Sequence, residues 1–426
     1  MPAESSPEDV LAPLLARIPG FARLLPRLPG SRLVEQSLRD LTMVTTTLLR
    51  YRPVARTYER TGTREVHTSD TLTVEANEPA AEGTRTITFT RPPGFVFSAG
   101  QFLTLCLTVP GVRGELRRSY SICSAPGEDT LRIAVKRARN GAGSAYLHGL
   151  AVGSKVAFRG PSGTFVYAPR ADAHRLLLIA GGSGVTPILS IVKTALSESP
   201  LAELTLFYAA RRANEMAHRE ELQALAAASP RLALRCFFDE LEHGADMATS
   251  DTLGRIGPLD LGPHASAAAT VYLCGPEAMM DGVSGALQAL GFPPETILRE
   301  RFFTPRPAPL PARKERVSLE LVGRARELAV DTRRTLLESA LEASVPLPYS
   351  CTMGGCGQCK ARLSKGQVSM AEPNCLSRQE REDGFILPCI SYPLTDVALE
   401  YPELGSPPHA PSPGAQRTPN REENDR

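Results

Sequence analysis

The chain has 426 residues, 42% hydrophobic and 22% charged, enough apolar material for two or three cores at roughly 150 residues per domain. Its 48 basic and 46 acidic residues leave a net charge of +2, without the basic excess of a nucleic-acid protein, and no apolar run is long enough for a membrane-spanning helix. Nine cysteines do not read as a disulfide framework, and MPAESSPEDVLAPLLARIPG carries acids where a secretion signal needs bases, so a cytoplasmic chain is expected.

Residues 1–60 hold Leu14, Leu15, Ile18, Phe21, Leu24, Leu25 and Leu28 at helical spacing, but Pro19, Pro26 and Pro29 break any single long helix. Nine arginines between Arg17 and Arg60 face only Glu35, Asp40 and Glu59. Short helices packing on the main body are the plain reading. The alternative is a surface within residues 11–60 that docks on the inner face of a membrane or on an acidic partner.

Residues 65–168 alternate apolar and polar positions in six short runs: TLTVEA, RTITFT, FLTLCLTV, RSYSIC, LRIAVKR and KVAFRG. Turns such as RPPG and VPGVRG separate them, and the spacing predicts an antiparallel β-barrel. Arg118-Ser119-Tyr120-Ser121 lies in the fourth run. A guanidinium fork suits phosphate oxygens, and a phenol offers a flat face with a polar tip. Lys136-Arg137 ends the fifth run, and Gly141-Ala142-Gly143-Ser144 leads into a helix expected at Ala145. Glycines at a helix start make a ready anion site.

Residues 174–303 alternate strand and helix: RLLLIA, PILSIVKTAL, LTLFYAA, a helix from about Glu215, LALRCFF, TVYLCG and a helix from Pro276. This predicts an α/β domain with a parallel sheet. RLLLIA runs into Gly181-Gly182-Ser183-Gly184-Val185-Thr186-Pro187, the strand, glycine turn and helix that lay a nucleotide pyrophosphate on a helix N-terminus. Proline suits that first turn because its missing N–H has no intrahelical partner there. LTLFYAA ends in Arg211-Arg212, and arginine after the second strand accommodates a 2′-phosphate. NADPH is therefore favoured, with NADH left open by the nearby Glu215.

TPRPAPLPARKER, residues 304–316, reads as a Pro-rich basic linker, and residues 317–401 as a small α+β unit around the cysteines. The tail at 405–426, rich in Pro, Ser and charge, reads as disordered. In the small unit Cys351, Cys356, Cys359 and Cys389 follow the C-x₄-C-x₂-C…C spacing of plant-type [2Fe–2S] sites. A structural zinc site would present paired C-x₂₋₄-C knuckles, and only one such pair exists here. Gly354, Gly355 and Gly357 let backbone N–H groups approach the sulfurs. Cys375 is out of register and reads as a structural thiol.

PYSCTMGGCGQCKARL resembles the cluster loop of β-grasp ferredoxins, with RVSLELVGRARELAV as the fold's hairpin and TLLESALEA as its helix. Arg118-Ser119-Tyr120-Ser121 resembles the R-x-Y-[ST] signature of the ferredoxin–NADP⁺ reductase superfamily, whose G-x-x-S, G-P-x-G-x-F and GG-x-G-x-x-P segments have counterparts at 141–144, 160–165 and 181–187. The resemblance implies FAD with Arg118 on its phosphate, Tyr120 on its ring and Ser121 near N5, and pyrophosphate at Gly141 to Ser144 beside Lys136 and Ser119. It further implies Cys274 of the Cys274-Gly275-Pro276 turn beside the nicotinamide, and Glu300 of Glu300-Arg301-Phe302 as a candidate catalytic group.

Flavin barrel, nucleotide domain and C-terminal ferredoxin, in that order, resemble the reductase components of multicomponent oxygenases, phenylacetyl-CoA epoxidase reductases among them. A nicotinamide gives two electrons at once and the cluster accepts one, so a flavin must stand between. The implied function is an NAD(P)H-dependent reductase delivering electrons through FAD and the cluster to an oxygenase, hydroxylase or fatty-acyl desaturase. A stand-alone flavin or quinone reductase and a non-catalytic redox sensor are the alternatives.

Overall fold

The computed structural model describes residues 71–112, 115–240, 251–264, 269–302, 314–321, 324–345, 347–371 and 374–401. The extension at 1–60, the tail from 405 and residues 304–313 of the expected linker lie outside the described residues. Among the described residues no helix is long and apolar enough to cross a membrane.

All six barrel runs are strands: β1 (Thr71–Ala81), β2 (Thr84–Thr90), β3 (Phe102–Leu107), β4 (Leu116–Ser121), β5 (Thr130–Lys136) and, after helix α1 (Ala142–His148), β6 (Lys155–Ser162). Their order is β4-β3-β6-β1-β2-β5, with every pairing antiparallel. The two ends meet at an Ile122–Ile133 bridge and a 2.8 Å bond from Cys123 N–H to the Arg132 carbonyl. Period-2 side chains make the interior: Leu131, Ile133 and Val135 of β5 are buried against Leu72, Ile87 and Phe89. Each such side chain contributes about 1.5–3 kcal/mol on leaving water. Helix α1 begins three residues earlier than Ala145, because the Ser144 hydroxyl folds the loop onto itself. It donates to the Gly141 carbonyl at 3.0 Å and accepts from Ala138 N–H at 3.1 Å.

The nucleotide domain runs β7 (His174–Gly181), α2 (Val185–Glu198), β8 (Ala202–Ala210), α3 (Arg219–Ala228), β9 (Leu232–Phe238), β10 (Asp251–Leu253), α4 (Pro258–Leu261), β11 (Ala269–Cys274), α5 (Glu277–Ala289) and β12 (Ile297–Glu300). The sheet is wholly parallel in the order β10-β9-β8-β7-β11-β12. Both faces are covered: Leu176, Leu178 and Ala180 of β7 enter one core with α2, while Leu177 and Ile179 enter another with α5. The helix expected from Glu215 starts at Arg219 instead. Residues 213–215 form a separate short turn, and His218 takes a left-handed φ of 59° immediately before α3.

Barrel and nucleotide domain share a core. Ala99, Phe165 and Tyr167 pack with Val185, Ile188 and Tyr272, and the Tyr272 hydroxyl donates to the Val166 carbonyl at 3.0 Å. Across the same seam Glu221 of α3 meets Arg132 of β5 at 2.8 Å, Lys193 of α2 at 2.5 Å and His218 at 3.1 Å. Burial would raise the Glu221 carboxyl, but hydrogen bonds from these three hold it far below the usual carboxylate range.

The ferredoxin unit comprises β13 (Lys314–Leu321), β14 (Arg324–Asp331), α6 (Leu336–Glu342), β15 (Ala361–Lys365), β16 (Val368–Met370), α7 (Arg378–Glu382), β17 (Phe385–Ile386), β18 (Ser391–Pro393) and β19 (Val397–Glu400). Its main sheet is ordered β14-β13-β19-β15-β17, with β13 parallel to β19 and the other neighbours antiparallel. Helix α6 is launched by a capping box: Thr335 accepts from Glu338 N–H and Glu338 from Thr335 N–H. Residues 314–316, expected in the linker, are strand. Arg316 is exposed and pairs with Asp396 at 3.2 Å.

Candidate functional site

In the order of the parallel sheet, direction of construction changes between β7 and β11, and the carboxyl ends of those strands form the switch point where ligands bind in open α/β sheets. The Gly181 and Cys274 turns stand there side by side. A Cβ on Gly184 would overlap the Cys274 carbonyl, and one on Gly181 would come within 2.7 Å of Met279 and Pro276. Gly275 is equally confined, 3.0 Å from Gly181. These glycines are what lets two strand-to-helix turns touch. Thr186 donates to the Ser183 carbonyl at 3.0 Å, and buried Pro187 fills the first turn of α2.

Parallel pairing sets Cys274 of β11 beside Glu300 of β12. The Ser121 hydroxyl, at the end of β4, donates to Glu300 Oε2 at 3.3 Å. The three candidate catalytic residues thus converge from three strands. Burial pushes the Glu300 carboxyl up to about 8, with the Ser121 bond opposing it. Burial and then Glu300 hold the Cys274 thiol well above its ordinary value.

Ser121 and Glu300 line a cavity of about 250 Å³ bounded by all three domains: Phe102, Ser119 and Phe165 from the barrel, Phe302 beyond β12, and Met353, Gly354 and Gly355 from the cysteine loop. Arg118 and Tyr120 fall elsewhere. The Arg118 stem packs on α1, where a Cβ on Gly143 would lie 3.3 Å from its Cγ, and Tyr120 packs on the barrel interior. Burial raises the Tyr120 phenol to about 12. Arg118, exposed beside Gly143, could hold phosphate, and the aromatic-walled cavity could take the ring end of a flavin. The Ser144 hydroxyl is already occupied by its own loop, as described above.

Lys136 and Arg211 both pair with Glu215, at 3.2 and 2.6 Å, and Arg212 pairs with Glu240 at 2.8 Å. Neither arginine stands free beside the nucleotide turn, although both pairs are at the surface and therefore weak.

The cysteine loop makes repeated use of left-handed backbone: Thr352, Gly354 and Gly357 have φ of 60°, 77° and 71°. This turns N–H groups inward, and Met353 N–H points at Cys351 Sγ from 3.4 Å. The four thiols meet as two pairs, Cys356 against Cys351 and Cys389 against Cys359. The first pairing, with N–H groups of Met353, Gly355 and Cys356, lowers the Cys351 thiol to about 6 against burial. Two pairs of sulfurs fit the donor set of a two-iron cluster, each pair serving one iron. Cys375 is closer to this loop than its register suggested. Its N–H donates to the Gly354 carbonyl at 2.9 Å, it lines the cavity, and burial pushes its thiol up to about 12.

Sequence reasoning passed over Phe102, Arg117 and Tyr349. Arg117 Nη1 donates to the Tyr349 carbonyl at 2.6 Å and its guanidinium lies 4.2 Å from the Tyr349 ring centroid. Nothing in the pattern separates Arg117 from the surface arginines around it.

Barrel, switch-point turns and paired cysteines define a flavin- and iron–sulfur-dependent oxidoreductase that uses a nicotinamide nucleotide. Three family profiles match along the chain: an oxidoreductase FAD-binding domain over 72–167, an oxidoreductase NAD-binding domain over 178–285 and a 2Fe-2S iron-sulfur cluster binding domain over 319–394. The chain is 35% identical to one of the subunits of 1,2-phenylacetyl-CoA epoxidase from Escherichia coli, over 79% of this chain and 99% of the relative. It is 33% identical to the ferredoxin reductase component of 3-ketosteroid-9-alpha-monooxygenase from Rhodococcus rhodochrous, over 76% and 94%. Among solved structures, phthalate dioxygenase reductase aligns with a TM-score of 0.52 at 27% identity, over 78% of this chain and 98% of that one. The chain belongs to this family of FAD- and [2Fe–2S]-containing reductases.

Proposed function

We propose that this chain takes electrons from NADPH and delivers them singly to a separate terminal oxygenase. The observation that carries this reading is the cavity where the end of β4, the end of β12 and the cysteine loop meet. When bound, the flavin supplies two-electron acceptance and one-electron release, and the cluster supplies one-electron acceptance. The residues do the placing. Arg118, Lys136 and the turn of Gly141, Gly143 and Ser144, the serine through its backbone, serve the flavin phosphates, while Ser119 and Ser121 frame its ring and Tyr120, on the opposite face of β4, packs on the barrel interior. Gly181, Gly182, Gly184, Thr186, Pro187, Gly275 and Pro276 seat the nucleotide pyrophosphate, Arg211 and Arg212 its 2′-phosphate. Cys274 stands by the nicotinamide. Glu300 holds a proton beside Ser121 where burial favours the neutral acid. Cys351, Cys356, Cys359 and Cys389 hold the cluster.

The relatives named above serve an epoxidase and a monooxygenase, which makes an oxygenase the acceptor of choice here. An anaerobic visible titration with NADPH tests the reading: flavin and cluster bands should bleach together. A flavin that bleaches beside a cluster that does not would overturn it in favour of a flavin reductase or sensor. A peripheral membrane role for residues 11–60 rests on their arginine excess. Unchanged membrane recovery and acceptor turnover after deletion of residues 1–55 would remove it.

A further inference from the structure

Barrel and nucleotide domain are fused through a shared core and a half-buried ion network. The ferredoxin unit meets the barrel differently, at the outer edge of β3 and β4. There Arg117 reaches across to the residue pair that precedes Cys351. Its Nη1 donates to the Tyr349 carbonyl at 2.6 Å, its plane lies 4.2 Å from the Tyr349 ring centroid, and its Nε is steadied by Glu115 at 3.0 Å. The side chain is only 18% exposed, so this is a desolvated contact of a planar fork rather than a surface ion pair. Four residues away along the same strand pair, opposite Ser121, the buried Phe102 ring lies between two glycines. A Cβ on Gly163 of the barrel would be 3.1 Å from the ring, and one on Gly355 of the cysteine loop 3.2 Å.

We infer that Arg117 is the seat that fixes the cysteine loop against the barrel, with Phe102 a second contact further along β3, and that Arg117 is a positioning residue for electron delivery to the cluster. The inference rests on the function proposed above. Arg117 is on the opposite face of β4 from Arg118, so its side chain can be removed while the Arg118 contact with α1 remains. Lysine would keep the charge but lose the fork that reaches carbonyl and ring together.

The test uses holoprotein in three forms: wild type, Arg117→Ala and Arg117→Lys. Hydrogen–deuterium exchange of residues 347–355 and 115–119 reads the docking itself, and anaerobic single turnover with NADPH reads its consequence. In Arg117→Ala both segments should exchange faster. Cluster bleaching should slow on the order of tenfold, the factor supported by losing one charge-assisted hydrogen bond and one cation–π contact, while flavin bleaching keeps its rate. Arg117→Lys should fall between. Wild-type exchange in the alanine variant would overturn the inference, as would flavin bleaching slowed equally or a changed cluster spectrum, which signal general damage. Failure of the cluster to bleach in the wild type would instead overturn the proposed function.

Discussion

Gly184 offers the sharpest test of how the nucleotide site is built. Replacing it with alanine puts a methyl group onto the Cys274 carbonyl and 2.8 Å from the Gly275 nitrogen. Both obstacles are backbone, so no side chain can swing aside. Overpacking costs about 1–3 kcal/mol, and backbone against backbone belongs at the upper end. At about 4 °C per kcal/mol for a domain of this size, the melting temperature should fall by roughly 10 °C. Gly182→Ala is the control: no atom lies within 4 Å of its Cβ, and only its φ of 51° opposes a side chain. That costs about 1–2 kcal/mol. The two variants should also separate in nucleotide affinity, because only Gly184→Ala drives the Cys274 turn away from the Gly181 turn. Differential scanning calorimetry and a titration with NADPH measure both quantities. A Gly184→Ala protein that melts within about 2 °C of wild type and binds NADPH equally well would refute the argument that these glycines exist to let two turns touch.

Glu300 should leave a mark on stability as a function of pH. Its folded carboxyl is raised from 4.5 to about 8, so the folded chain keeps a proton that the unfolded chain releases. Stability is full below about pH 4.5, declines by up to about 1.4 kcal/mol per pH unit, and levels off above about 8. Glu300→Gln should abolish that part of the slope, and parallel stability curves for the two apoproteins would sink the assignment. Cys356→Ser should remove the iron–sulfur absorbance and leave flavin reduction by NADPH intact; a retained cluster spectrum would mean that another donor serves. Exchanging Arg211 and Arg212 for alanine should reduce the NADPH/NADH ratio of kcat/KM by about tenfold if each contact to the 2′-phosphate is worth even a weak ion pair. An unchanged ratio would assign the preference elsewhere.

Much of this architecture was legible because it is local. The alternation in TLTVEA or LRIAVKR states a half-buried strand without help from the rest of the chain, and the cysteine spacing states its own chemistry. Boundaries were less legible where a local rule was overridden. Glu220 and Glu221 suit the first turn of α3 as well as Glu215 would, and Glu215 is drawn off to pair with Lys136 and Arg211. Residues 314–316 look like linker because their charges are typical of one, yet a strand with an exposed position such as Arg316 carries charge equally well. The meeting of Ser121 with Glu300, 179 positions apart, was predicted only as two separate roles. The seat of Tyr349 on Arg117 was not foreseen, since contact across domains has no period to read.

The register of the last nucleotide strand decides which side chain stands beside Cys274 and Ser121. Glu300 is flanked in sequence by Arg299 and Arg301, which pair with Asp281 and Glu277 on α5. Because side chains alternate along a strand, a slip of one residue against β11 would offer a permanent cation where a neutral acid now stands. Four paired residues on one edge strand therefore decide which side chain meets Ser121 and Cys274, and a change in the α4–β11 or α5–β12 connection could exchange it without altering a single residue of the site.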